Sequence, residues 1–150
     1  MRAPSKQARS RVFSLRISPA QTQRLQRKAR QLGRTPSETG AMLIEEGLRR
    51  ADFSFIDFWD SSVGRQAYIL GSRLAVWQVI SLVRAFRGRV EKVAAHLGWP
   101  EMKVRAAMIY AEAFPGEIEE AIADAGAIGA SDLRRIVPQV EEVVVPLRRR

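Results

Sequence analysis

The sequence predicts a mainly α-helical protein with short β-strands, and three observations lead to this fold class. Apolar residues alternate in "RVFSLRIS" at 11–18, which is the period of a β-strand. "SPAQ" at 18–21 and "TPSE" at 35–38 each combine a hydroxyl N-cap, a proline at the first helical position and a Gln or Glu that can bond back to the cap, so a helix begins at each. Apolar residues then recur with a helical period after residue 73.

The composition excludes several classes of protein and of site. The chain has no cysteine, so it has neither disulfides nor thiolate metal sites, which suits a reducing cytoplasm. Its longest apolar stretch, at 74–83, is too short to span a bilayer. With 150 residues, the chain can form one ordinary domain or two small ones. We therefore expect a soluble, cytoplasmic protein that has no membrane partner.

The basic charge is confined to one part of the chain. Residues 1–50 contain 12 lysines and arginines but only 3 acidic residues, whereas residues 51–150 contain 13 of each kind. The whole net charge of +9 therefore belongs to the first third of the sequence. A basic region of this size is typical of proteins that bind DNA or RNA, and the alternative is a solvated basic helix.

Two amphipathic helices follow the strand and complete a unit at 11–52. In the first helix, Leu25, Ala29 and Leu32 lie on one face, and Gly33 ends the helix. The apolar stripe of the second helix is formed by Ala41, Ile44, Leu48 and Ala51. So small a unit can hardly bury a core of its own, and its single strand has no partner within it.

A homodimer supplies both the missing strand and the missing core. Residues 11–17 of two chains can pair antiparallel, which would bury Phe13, Leu15 and Ile17 against four helices. The opposite face of this two-stranded ribbon fits the major groove of DNA. That face carries Val12, Ser14 and Arg16 from each chain.

Residues 11–50, with "VFSLRIS…LQRKARQLGRTPSETGAMLIEEGLRR", resemble the ribbon-helix-helix family of bacterial and phage repressors and antitoxins. The resemblance implies an intertwined homodimer that binds a double-stranded DNA operator. It also implies that Val12, Ser14 and Arg16 read bases, with Arg16 suited to bond guanine. Val12 replaces the polar residue often found at the first reading position and could contact only a thymine methyl group. Phosphate would be held at the start of the second helix, near Arg34, Thr35, Ser37 and Glu38.

The second module, at 53–125, is predicted to contain a β-hairpin and three or four helices. Two short apolar runs, near 55–58 and 66–70, are separated by "DSSVG", which is typical of a turn. A helix follows at about 73–86. The predicted core contains Trp77, Ile80, Val83, Val93, Leu97, Val104 and Met108.

A helix-turn-helix pattern lies within this module. Ala94, Gly98 and Val104 have the spacing of a small residue at the helix crossing, a turn glycine and an apolar anchor. The outer face of the second helix of this pattern would carry Glu101, Met102 and Arg105, with Lys103 to one side, as a possible second DNA or partner surface. This mixed charge favours a dimerisation or docking domain over a second DNA-binding surface, and both interpretations stay open.

Residues 57–122 resemble a small domain family formerly described as of unknown function. The likeness lies in "GSRLAVWQV" and "VRAAMIYAEAFPGEI". That family is known mainly from type II toxin-antitoxin operons, as the antitoxin to PIN-like nuclease toxins, and its members have a homeodomain-like helical fold. The resemblance implies a homeodomain-like second domain and a co-encoded toxin as partner.

Both ends of the chain are expected to be flexible, residues 1–10 as a basic arm and residues 126–150 as a tail. The tail is either a frayed terminus or a segment that binds the toxin, and in the second case its candidate contacts are Val143, Val144 and Val145. The six acidic residues between 112 and 132 would then oppose a basic toxin surface.

Catalytic patterns are missing from the sequence. Its single histidine, His96, lies inside the helix-turn-helix pattern and is better explained as a helix residue than as a base or ligand. There is no phosphate-binding glycine loop, no metal-binding spacing and no nucleophile motif. We therefore expect a protein that is not an enzyme and that uses neither a cofactor nor a metal.

Together these features predict a DNA-binding antitoxin that represses its own operon and neutralises a PIN-like nuclease. The alternative is a free-standing ribbon-helix-helix repressor whose second domain only forms oligomers. An adjacent short reading frame rich in paired aspartates would favour the antitoxin.

Overall fold

A computed structural model describes residues 12–61 and 64–127 of the chain. The chain divides into two compact units, residues 1–45 and residues 46–150. The boundary lies inside a helix, whereas the sequence predicts it after residue 52. The difference arises because the side chains of Glu46, Arg49 and Arg50, at the end of that helix, bond to residues further along the second unit.

The first unit contains the first predicted helix and the beginning of the second. Helix α1 (Pro19–Leu32) begins at Ser18, whose hydroxyl accepts the Gln21 N–H at 3.2 Å while the Gln21 side chain accepts the Ser18 N–H at 2.8 Å. It ends at Gly33, which has φ +63° and therefore the left-handed conformation that suits glycine. Helix α2 (Pro36–Asp52) follows. Both capping motifs are thus confirmed as helix starts.

The segment before α1 forms no β-ladder in the single chain that the structure describes. Residues 12–17 are neither helical nor strand. The three side chains predicted to be buried in a dimer are exposed, Phe13 by 81%, Leu15 by 58% and Ile17 by 46%. A strand requires a hydrogen-bonded neighbour, which the predicted ribbon would obtain from a second chain.

The second unit begins with the predicted β-hairpin. Strands β1 (Ile56–Ser61) and β2 (Gly64–Ile69) pair antiparallel, with Ile56 opposite Ile69 and Ser61 opposite Gly64. Residues 62 and 63, in the predicted turn, lie outside the described residues. Alternation along the strands directs Ile56, Phe58, Ala67 and Ile69 towards the core.

Up to residue 127, where the described residues end, the hairpin is followed by four helices: α3 (Val76–Ala85), α4 (Val90–Leu97), α5 (Glu101–Ala113) and α6 (Pro115–Ala127). Helix α4 ends at Gly98, which has φ +66°, and α5 begins three residues later. Ala94 and Val104 are both buried, as their spacing predicts. Helix α6 also includes residues 126 and 127, which the sequence assigns to the tail. The helix extends this far because Ile118 and Ile122 pack against the core.

The hydrophobic core of the second unit lies between the hairpin and the four helices. Of the predicted core residues, Ile80, Val83, Val93 and Val104 are buried, whereas Trp77, Leu97 and Met108 pack against the core and are partly buried. The other buried apolar side chains are Ile56, Phe58, Ala67, Ile69, Val76, Val79, Val90, Ala94, Ala106, Ala107, Tyr110 and Ile118, with Ala75 in the preceding loop. Among residues 12–61 and 64–127, every helix is too short or too polar to cross a membrane.

Two isoleucines of the second unit allow a matched test of this core. Ile69 is fully buried and Ile109 is exposed on α5. We expect Ile69→Ala to lower the free energy of unfolding by about 2–5 kcal/mol, because it leaves a cavity. Ile109→Ala should change it by less than about 0.5 kcal/mol. Trp59, Trp77 and Trp99 all belong to this unit, so urea unfolding followed by tryptophan fluorescence measures its stability. Equal losses of stability in the two variants would contradict this core.

Candidate nucleic-acid interface

The three predicted base-reading residues lie on the segment before α1. Val12, Ser14 and Arg16 are all exposed, and they alternate with the exposed apolar residues of the same segment. Extended backbone would direct these alternate residues to opposite faces. The structure therefore leaves these three side chains accessible to a ligand.

Thr35 and Glu38 form a reciprocal cap at the start of α2. The Thr35 N–H and hydroxyl donate to Glu38 Oε2 at 2.9 and 2.8 Å, and the Glu38 N–H donates to Thr35 Oγ1 at 3.2 Å. These bonds, the backbone one first, hold the pKa of Glu38 below its ordinary value of 4.5, with a smaller contribution from Arg34. The Glu38 carboxylate is therefore ionised at neutral pH and is occupied by the cap.

This cap narrows the predicted phosphate site to two residues. The backbone N–H and the carboxylate of Glu38 are both bonded to Thr35, so Glu38 positions the helix start and offers no donor to an anion. Ser37 stands at the second helical position, where a backbone N–H has no acceptor within the helix. Arg34 is exposed beside it. The arrangement can thus offer an anion the Ser37 N–H, the Arg34 guanidinium and the positive end of the helix dipole.

On α5, Lys103 lies away from the outer face. Its side chain is partly buried, and its Nζ donates to the Leu70 carbonyl at 3.2 Å and lies 5.7 Å from the centre of the Trp99 ring. Lys103 therefore joins α5 to the end of the hairpin and is withdrawn from the outer face. There Arg105 bonds Glu101 at 3.0 Å, and Met102 is exposed. The face is consequently close to neutral, and Met102 adds an exposed apolar side chain to it.

A polar cluster that the sequence did not reveal holds the end of α2 within the second unit. Arg49 donates to the Tyr110 hydroxyl and to Glu117, both at 2.7 Å, and its guanidinium carbon lies 3.7 Å from the centre of the Phe114 ring. The Tyr110 hydroxyl donates to Glu117 at 3.0 Å. Burial, and then the Glu117 charge, raise the pKa of Tyr110 above its ordinary range. Tyr110 therefore stays protonated and acts as a hydrogen-bond donor.

A second ion pair lies on the same turns of α2. The Glu46 carboxylate is buried and accepts two hydrogen bonds from Arg65 of β2, one of them at 2.6 Å. Arg65 also donates to Asp60 at 2.9 Å. The bond to Glu46 is the main cause that raises the pKa of Arg65. Arg65 lies 19 residues from Glu46 in sequence, and Tyr110 and Glu117 lie 61 and 68 residues from Arg49. No local pattern could therefore have identified these contacts.

The described residues contain no cluster of metal-ligating side chains. Among them there is no group of three His, Asp or Glu side chains that could hold a metal ion. His96 is exposed on α4, with its ring 5.3 Å from that of Phe86. The basic arm at 1–10 and the predicted toxin contacts Val143, Val144 and Val145 lie outside the described residues.

Comparisons with known proteins found no relative of this chain. No protein-family model matches it, and neither a curated protein nor a solved structure does.

The cap at the start of α2 gives a pH-dependent prediction. Because the pKa of Glu38 is lowered in the folded chain, its stabilising bonds are present above pH 4.5 and are lost as the pH falls through the lowered pKa. An NMR titration of the Glu38 carboxyl should have its midpoint below 4.5. Thr35→Ala removes the hydroxyl but keeps the backbone donor, so it should raise this midpoint only in part.

Thr22→Ala is the matched control, since the Thr22 hydroxyl bonds Ser18 at the start of α1. It should leave the Glu38 midpoint unchanged. A Glu38 midpoint that did not respond to Thr35→Ala would contradict the role of the hydroxyl in this cap.

Proposed function

We propose that this protein is a homodimeric DNA-binding antitoxin that represses its own operon and neutralises a co-encoded PIN-like nuclease. The observation that carries the DNA-binding half is the lack of a core in the first unit. Among residues 12–45, only Ala29 and Thr39 are buried. A unit of this size that buries two small side chains cannot be stable by itself, so it needs a partner surface.

A second copy of the chain is the partner that fits these residues. The exposed apolar side chains Phe13, Leu15, Ile17 and Ile44 belong to the alternating segment and to the predicted apolar stripe of α2. Burying each of them would contribute about 1.5–3 kcal/mol. Two antiparallel copies of the segment would also pair their backbone N–H and C=O groups, which form no β-ladder within one chain.

The chemistry of the same unit favours DNA as the ligand of this dimer. Pairing through the apolar face leaves Val12, Ser14 and Arg16 of each chain on the outer face of a ribbon, which has the width of the major groove. The Arg34 guanidinium and the Ser37 N–H supply cationic and backbone donors for phosphate. All of the net charge of +9 lies in residues 1–50.

The antitoxin half of the proposal is supported by the resemblance of residues 57–122 to antitoxin domains. Exposed Met102 and Ile109 provide an apolar area on α5 where a partner protein could pack. The second candidate is a repressor without a toxin, in which this area joins two copies of the second unit. The near-neutral outer face of α5 argues against a second DNA-binding surface in either case.

The shared ribbon can be tested with one pair of variants. Leu15→Asp places a carboxylate in the proposed dimer interface, so it should abolish dimerisation and DNA binding together. Leu70→Asp makes the same chemical change at a similarly exposed leucine of the second unit and should affect neither. Sedimentation analysis and a DNA-binding titration measure the two properties. A folded Leu15→Asp monomer that still binds DNA would refute the model.

The toxin partner can be tested by co-expression with the product of the adjacent gene. We expect a stable complex in a pull-down and restored growth when this chain is present. Met102→Asp with Ile109→Asp should weaken the complex while operator binding persists. If no complex forms although operator binding is intact, the protein is a repressor and the second unit serves assembly.

A further inference from the structure

Helix α1 has a polar surface without a single acidic residue. Its polar side chains are one threonine, four glutamines, three arginines and one lysine. Arg24, Arg27 and Arg30 are exposed and form no ion pair with any described residue. Their spacing of three residues places them in one row along the helix. We call these three residues the arginine row.

Solvation alone does not account for this row. An exposed helix that needs only solubility usually mixes both signs, with acids and bases four residues apart. The second unit does this where Arg105 bonds Glu101 and where Arg50 approaches Glu46. In α1, like charges follow each other at three and four residues instead, which destabilises a helix by itself. A polyanion bound along the row would offset that repulsion.

The row differs from the proposed reading surface in what it can recognise. Arg16 lies on the segment before α1, where a single guanidinium can bond two acceptors of a guanine. The arginine row lies on α1, outside the segment that carries Arg16, and the neighbouring glutamines are further hydrogen-bond donors. Arginine and glutamine side chains at such positions are typical contacts of DNA phosphates, which carry no sequence information directly.

We infer that the arginine row of α1 is a second nucleic-acid contact, which binds the phosphate backbone and adds affinity without adding sequence preference. This inference rests on the proposed function, because it requires that the protein binds duplex DNA. Each phosphate contact releases counterions, so the row should make binding more sensitive to salt.

The test compares the salt dependence of DNA binding for three versions of the full-length protein. They are the wild type, a row variant (Arg24→Gln, Arg27→Gln and Arg30→Gln) and a control (Arg73→Gln, Arg87→Gln and Arg89→Gln). The control removes the same charge from exposed arginines of the second unit. The probes are a labelled duplex of the DNA upstream of the protein's own reading frame and a scrambled duplex of equal composition.

We expect the row variant to lose affinity for both duplexes by the same factor. The magnitude of the slope of log K against log salt concentration should fall by about 0.9 for each phosphate that the row no longer neutralises. If the row of each chain neutralises one to three phosphates, the total fall for the dimer is about 2–5. The ratio of the two affinities should stay constant. Arg16→Ala should lower that ratio, and the control should keep the slope of the wild type.

Charge can be separated from helix folding with a further variant. Gln and Arg have similar helix propensities, so the row variant should keep its helix content. Arg24→Lys, Arg27→Lys and Arg30→Lys together keep the charge and should restore the slope. An unchanged slope in the row variant, or an equal fall in the control, would overturn the inference while leaving the proposed function intact. A wild type that binds neither duplex would overturn the proposed function itself.

Discussion

The first unit has too few apolar contacts to bury its own side chains, and this constraint underlies the functional argument. Among residues 12–45, only Ala29 and Thr39 are buried, while Phe13 and Leu15 face solvent. The free energy of folding depends mainly on apolar burial, and for this reason the proposal gives the unit a partner surface. Because the segment alternates, the partner that covers its apolar face leaves Ser14 and Arg16 accessible on the other. The same constraint therefore links assembly to ligand binding in the proposal.

The second unit, in contrast, buries many of its apolar side chains. Its hairpin and four helices enclose a continuous apolar core, and its buried polar groups are bonded to each other. Arg49 and Glu46, from the last turns of α2, are part of this unit through their bonds to Tyr110, Glu117 and Arg65. Removing Arg65 would leave the buried Glu46 carboxylate without its partner, which would lower the free energy of unfolding. The second unit can thus be complete in one chain.

Several parts of the candidate site could be predicted because their causes are local. Ser18 with Gln21, and Thr35 with Glu38, lie three residues apart, and the spacing alone brings each pair into hydrogen-bond distance. Lys103 could not be placed in this way. Its position depends on the Leu70 carbonyl, which lies 33 residues away in sequence. The role of Glu38 was likewise predicted too broadly, since its carboxylate and its N–H are both used by the cap.

Local sequence patterns were sufficient to predict the starts of α1 and α2, the glycine ends at Gly33 and Gly98, the hairpin and part of the core of the second unit. These features follow from hydrogen bonds within a few residues and from the periods of strands and helices. The unit boundary inside α2, the Arg49 and Glu46 clusters and the withdrawal of Lys103 arise from contacts between residues distant in sequence. Each of these depends on which distant side chains meet, and a local pattern carries no information on such contacts.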